Sequence, residues 1–155
     1  MKKRYYLAYG SNLHCQQMRY RCPDAKVVGT ATIPGYRLMY KGSKTGVYLT
    51  IEPAEGYSVP VGVWAVSKQD ERHLDHYEGY PTFYYKKEMT VTIKDYETGE
   101  PHQEKAFVYI MHEDRPLGTP SPMYVQTCTI GYIQFGFDTA RLDEAMVYSR
   151  KDGNA

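Results

Sequence analysis

The stretch from residue 27 to residue 52, VVGTATIPGYRLMYKGSKTGVYLTIE, decides the fold class. Its β-branched and aromatic residues suit a pleated, half-buried surface better than a helix. Pro34-Gly35 and the segment Gly42 to Gly46 punctuate it, so it predicts two or three strands, and Val59 to Val66, around Trp64, predicts another. These strands are expected to pair as an antiparallel sheet. On the amino-terminal side, Tyr5 to Tyr9 is a short aromatic and aliphatic run ended by Gly10-Ser11-Asn12. That pattern predicts a strand, a tight turn, and a helix capped by Ser11 or Asn12 that runs towards Arg21 and stops at Pro23-Asp24.

On the carboxy-terminal side, Ser67 is a helix cap with Asp70 at the third position, where a carboxylate meets the positive helix end. Leu74 and Tyr77 supply that helix's buried stripe, and Glu78-Gly79 followed by Pro81 ends it. Met89 to Ile93, the Thr98-Gly99 turn and Ala106 to Met111 form a hairpin signal, and a long loop from His112 to Met123 follows. Val125, Cys128, Tyr132 and Phe135 have helical spacing before Gly136, and Leu142, Ala145, Met146 and Ser149 predict a last helix begun by Asp138. Strands with irregularly placed helices and no βαβ alternation predict an α+β domain on an antiparallel sheet or small barrel and argue against a Rossmann fold. With no repeat and no linker-like tract, residues 1–150 read as a single domain, with a frayed tail over 151–155.

Composition narrows the function. The 155 residues carry 19 Lys and Arg against 18 Asp and Glu, a net charge of +1, and so lack the basic excess that nucleic acid or an anionic membrane attracts. No apolar run approaches the ~20 residues a bilayer span needs, and the first residues lead into Tyr5 and Tyr6 and not into a signal-peptide core. A soluble, cytoplasmic protein is expected, without nucleic-acid or membrane partners. The three cysteines, Cys15, Cys22 and Cys128, lack metal-knuckle spacing and read as reduced packing residues. Tyrosine is the oddity, at 17 residues against four phenylalanines and one tryptophan. Each buries a ring while needing a partner for its hydroxyl, which suits a core edge or a polar pocket.

Two places carry chemistry. At Tyr9-Gly10-Ser11-Asn12-Leu13, a strand hands over to a helix and leaves backbone N–H groups free at a positive helix end, able to hold a carboxylate or an oxyanion. The turn lacks the glycine spacing and lysine of a phosphate loop. Glu78 stands at the end of a helix, before Tyr80, Phe83, Tyr84 and Tyr85. The negative helix end and aromatic walls both raise a carboxyl's pKa and make it a better proton acceptor near neutrality. A solvated glutamate closing a helix is the plain alternative. Asp75 lies on the same face, as a surface residue, a hydrogen-bond partner or a second member of the site. His73 and His76 are three apart without the accompanying ligands of a zinc site, and no Gly-x-Ser-x-Gly elbow marks a serine nucleophile, so no metal is expected.

Three segments together, Tyr5-Tyr6-Leu7-Ala8-Tyr9-Gly10-Ser11-Asn12-Leu13, Leu74-Asp75-x-x-Glu78-Gly79 and Pro120-Ser121-Pro122-x-Tyr124, resemble the γ-glutamylcyclotransferase-like family. The resemblance implies a mixed, largely antiparallel small β-barrel with packed helices, and a substrate cradle made by Tyr9, Gly10, Ser11, Asn12 and Leu13. It also implies Glu78 as catalytic acid/base, with Tyr84 or Tyr85 and Ser121 or Tyr124 lining the pocket. The implied reaction turns a γ-glutamyl amide into 5-oxoproline and a free amine, by attack of the substrate's own α-amine, and needs neither metal nor cofactor. The expected partner is therefore a small-molecule γ-glutamyl substrate, bound by a monomer or a homodimer. The alternatives are a non-catalytic small-ligand binding domain of the same fold and a cyclotransferase acting on a γ-glutamylated biosynthetic intermediate. The loops Tyr40 to Gly46 and His112 to Thr119 are where the departing amine's side of the pocket is expected.

Overall fold

A computed structural model describes residues 3–43 and 45–153. In chain order the elements are β1 (Arg4–Ala8), a single 3-10 turn (Ser11–Leu13), α1 (Cys15–Arg21), β2 (Lys26–Ser43), β3 (Gly46–Val66), α2 (Lys68–Glu78), β4 (Tyr84–Asp95), β5 (Pro101–Met111), α3 (Pro122–Gln134) and α4 (Ala140–Gly153). The strands close into a barrel in the order β1-β3-β2-β4-β5. Its seams are antiparallel except the one where β1 runs parallel to β5, with Tyr5 opposite Ala106 and Tyr6 opposite Phe107.

The stretch that decided the fold class forms fewer and longer strands than its punctuation predicts. β2 and β3 are one long antiparallel hairpin, paired from Lys26 opposite Ala65 to Ser43 opposite Gly46. Pro34-Gly35 bends this ribbon without ending it: the register shifts between Pro34 and Tyr36, so the missing proline N–H falls where the ladder is already interrupted. The segment Gly42 to Gly46 is the hairpin end, and of it residue 44 lies outside the described residues. So does 154–155 of the predicted tail, while α4 runs to Gly153.

α2 follows its capping signals closely, but of its expected buried stripe only Leu74 is buried, and Tyr77 is 43% exposed. Ser67 Oγ accepts from Asp70 N–H at 3.1 Å and Asp70 Oδ2 accepts from Ser67 N–H at 3.2 Å, which is a reciprocal capping box. Gly79, at φ 65°, supplies the left-handed residue that ends the helix, and Tyr80 N–H returns to Asp75 O at 2.9 Å. Glu78 is thereby held as the last helical residue.

The turn after β1 differs from the predicted helix start. Ser11–Leu13 forms a 3-10 turn, and α1 begins at Cys15 with the His14 ring accepting from Gln17 N–H at 3.3 Å. Neither Ser11 nor Asn12 caps α1, because both side chains are drawn into contacts elsewhere in the fold. α3 presses directly on this turn. A Cβ at Gly131 would stand 2.7 Å from His14 N and from Leu13 C, so only glycine allows the approach. Beneath lies the core, with Leu7, Leu13, Phe107 and Tyr132 all at 0 % exposure.

Candidate active site

One end of the barrel holds a cavity of about 350 Å³, within the ~300–1,000 Å³ usual for small-molecule sites. Its wall is built from separate parts of the chain. β1 gives Tyr6, Tyr9 follows directly after it, the turn gives Gly10, Ser11 and Asn12, and the end of α2 gives His76, Tyr77, Glu78 and Gly79. β3 supplies Tyr48 and Leu49, Phe83 and Tyr84 begin the path into β4, β5 supplies Tyr109, and α3 supplies Tyr124. The carboxylate of α2 and the first bend of the chain therefore share one hollow.

The tyrosines divide their work between lining and bracing. Tyr9 donates to the Tyr109 carbonyl at 2.7 Å, and Tyr84 donates to the Leu49 carbonyl at 2.8 Å. The Tyr124 hydroxyl oxygen accepts from Leu49 N–H at 3.0 Å, and the Tyr109 hydroxyl donates to Asp75 at 2.6 Å. Asp75, itself 2.9 Å from Lys86 Nζ, thus serves as a structural partner behind the wall. Tyr48 packs edge-on against Phe83 and Tyr124, with centroids at 6.2 and 5.2 Å, and completes an aromatic side. Because these hydroxyls are satisfied by fixed acceptors and donors, the cavity keeps its shape without a ligand.

Glu78 is the outlier in charge. Burial among the rings pushes its carboxyl from an ordinary 4.5 to about 8, and the Arg21 guanidinium pulls it back in part. Part of its surface opens into the cavity, so the shift belongs to the ligand-free site. Burial raises the phenols of Tyr6, Tyr9, Tyr84 and Tyr109 far above their usual range, which keeps them neutral while Glu78 titrates. The 3-10 turn lines the same cavity, and in it Leu13 N–H and His14 N–H bond back to Gly10 O and Ser11 O at 3.0 Å each. The N–H groups of Ser11 and Asn12 are the leading donors of that turn, without an intrahelical acceptor.

Of the residues predicted for the site, Tyr9, Gly10, Ser11, Asn12, Glu78, Tyr84 and Tyr124 line the cavity. Three stand outside its lining. Leu13 is fully buried beneath the turn. Tyr85 alternates to the opposite strand face from Tyr84 and donates to Glu113. Ser121 is the N-cap of α3, accepting from Tyr124 N–H at 3.2 Å, and so orients the helix that delivers Tyr124. Of the two loops assigned to the departing amine, Thr45 reaches the cavity, while the segment after β5 is strapped to β2 through Gly118 N–H to Tyr40 O at 3.1 Å. Phe83 was expected only as an aromatic neighbour of Glu78, and Tyr6, Tyr48, Tyr77 and Tyr109 were not expected in the site; the excess of tyrosine was the available signal.

A closed mixed barrel thus carries a ligand-sized hollow lined by both the Glu78 carboxylate and the turn after β1. The sequence profile described as gamma-glutamyl cyclotransferase, AIG2-like, matches residues 6–126, and the chain belongs to that family. Among solved structures, one named gamma-glutamyl cyclotransferase is 24% identical with a TM-score of 0.76, covering 93% of this chain and 86% of its own. An uncharacterized protein from Homo sapiens is 25% identical with a TM-score of 0.73, covering 97% of this chain and 86% of its own. A yeast gamma-glutamyl cyclotransferase described as specific to glutathione shares the fold at 13% identity and a TM-score of 0.60, covering 96% and 97%. A search of curated proteins found no significant match.

Proposed function

We propose that this protein is a γ-glutamyl cyclotransferase that converts a γ-glutamyl amide to 5-oxoproline and a free amine, with Glu78 as the acid/base. The observation that carries this reading is the placement of Glu78, its pKa lifted to about 8, in one cavity with the Gly10-Ser11-Asn12 turn. The substrate's α-nitrogen attacks its own γ-carbonyl carbon, a five-membered ring closes, and the bond to the departing nitrogen breaks. No external nucleophile enters, so the site has three tasks: to deprotonate the ammonium, to fold the substrate, and to stabilise the oxyanion.

Glu78 takes the ammonium proton and returns one to the departing nitrogen. Burial lifts the free carboxyl well above the ordinary glutamate range, which makes it a stronger proton acceptor near neutrality and suits one group acting first as base and then as acid. The hollow, rimmed by Tyr9, Tyr84 and Tyr124, holds the γ-glutamyl chain in its folded, near-attack shape. The turn's N–H groups bind the substrate carboxylate or the oxyanion; one well-placed oxyanion donor contributes roughly 3 kcal/mol to the transition state.

Glu78→Gln keeps size and removes base strength. Assayed for 5-oxoproline release across γ-glutamyl amino acids, glutathione and γ-glutamyl alkylamines, the parent protein is expected to turn over at least one class and the variant to lose at least about a hundredfold. Turnover by the variant at the parental rate would remove Glu78 from the mechanism. Thermal stabilisation of the parent by these compounds without 5-oxoproline would identify a binding domain instead.

A further inference from the structure

Arg21, the last residue of α1, lies outside the cavity lining, yet its contacts converge on both halves of the site. Its Nη1 donates to Asn12 Oδ1 at 2.5 Å, its Cζ sits 3.5 Å from the centre of the Tyr77 ring, and its carbonyl oxygen meets His73 Nδ1 at 2.9 Å. Asn12 Nδ2 in turn donates to the Tyr6 hydroxyl oxygen at 2.9 Å, and the Tyr77 hydroxyl shares a hydrogen bond with Ser11 Oγ at 3.2 Å. These contacts form a closed circuit, Asn12 to Arg21 to Tyr77 to Ser11. It joins the turn after β1 to the residue immediately before Glu78.

The chemistry of the circuit requires arginine. A guanidinium is a donor only, so it fixes which end of the Asn12 amide faces it and sends the Nδ2 end to Tyr6. Its planar face lies on an aromatic ring while its edge donates to the amide oxygen, a combination an ammonium does not reproduce. We propose that Arg21 is a positioning residue of the active site, locking the turn that carries Ser11 and Asn12 against the end of α2 that carries Glu78. The inference rests on the reading of Glu78 as acid/base.

A second consequence makes the role separable from plain structural support. The groups around Glu78 are Tyr6 from β1, Tyr9 just after it, Tyr84 from β4, Tyr109 from β5, and Tyr77 and His76 from its own helix, and Arg21 is the cation acting on it from α1. The tyrosines stay neutral, so removing the guanidinium removes the charge that opposes burial, and the Glu78 titration moves to higher pH.

The test compares Arg21→Met and Arg21→Lys with the parent. It uses kcat/KM for the best γ-glutamyl amide and the pH midpoint of the Glu78 carboxyl carbon-13 resonance, assigned by its loss in Glu78→Gln. Arg21→Met is expected to lose about tenfold or more in kcat/KM, since displacing a turn by under an ångström has effects up to about a hundredfold, and to raise the midpoint. Arg21→Lys is expected to restore the midpoint but not the rate. A parental rate in Arg21→Met, or a lowered rate with an unmoved midpoint, overturns the proposal. If melting shows Arg21→Met unfolded, Arg21→Lys decides: a parental rate overturns the proposal and a reduced rate in the folded variant supports it. If the parent turns over no γ-glutamyl amide, the functional reading fails, and the midpoint alone decides whether Arg21 acts on Glu78.

Discussion

The cost of burying Glu78 is measurable without any substrate. Moving its carboxyl from an ordinary 4.5 to about 8 corresponds to about 5 kcal/mol between the pH where the folded and unfolded forms are both protonated and the pH where both are ionised. The sign follows from proton binding. Between those values the folded state holds the proton and the unfolded state does not, so the folding stability tied to this group is full below about 4.5 and lost as the pH rises through about 8. Cavity water hydrates part of the carboxylate, and a realised effect of about 2–3 kcal/mol is expected. Glu78→Gln is neutral at every pH and escapes this loss. Melting curves of parent and variant are therefore expected to lie close together near pH 5 and to separate by pH 9. The variant is then higher by about 4–12 °C at 2–4 °C per kcal/mol for a chain of this size. A difference in Tm that stays constant from pH 5 to pH 9 would refute the claim that this carboxyl is desolvated. The same substitution that abolishes the proposed chemistry should thus stabilise the protein in alkali, as expected where a site holds a charge against its environment.

Two further expectations test the site's construction. The acid limb of kcat/KM, which reports the free enzyme, is expected near pH 8, while the limb of kcat lies lower because the bound ammonium favours the ionised carboxylate; superimposed limbs near pH 4 would count against both. Gly131→Ala places a methyl 2.7 Å from His14 N and Leu13 C, so overpacking of roughly 1–3 kcal/mol and a drop in kcat/KM are expected, and a variant with parental melting and turnover would show that α3 does not press on the turn.

How much of this was legible in the sequence varies with the range of the forces involved. The Ser67–Asp70 capping box and the Gly79 helix stop were readable because every atom in them lies within a few residues along the chain. Glu78 was readable for the same reason, as a helix-ending carboxylate followed by aromatic residues. Pro34-Gly35 was read as a break, because a residue's local preference does not show that a register shift will absorb the missing donor. The helix start at Ser11 or Asn12 failed for a related reason. Both side chains satisfy the local rule for capping, but Asn12 is taken by Tyr6 and Arg21 and Ser11 by Tyr77, partners contributed by packing.

The amino-acid order alone determined the class of fold and marked the two segments that come to line the cavity, because periodicity, caps and turn residues act over a handful of positions. Tertiary structure alone decided that β1 closes the barrel beside β5, that Tyr84 and not Tyr85 faces the hollow, and that Arg21 clamps the turn to α2. Each of those depends on strand phase or on contacts between residues far apart in the chain, and on how water is excluded when the barrel closes. The lifted pKa of Glu78 belongs to the second group, since desolvation is a property of everything packed around a carboxyl and not of its neighbours in sequence.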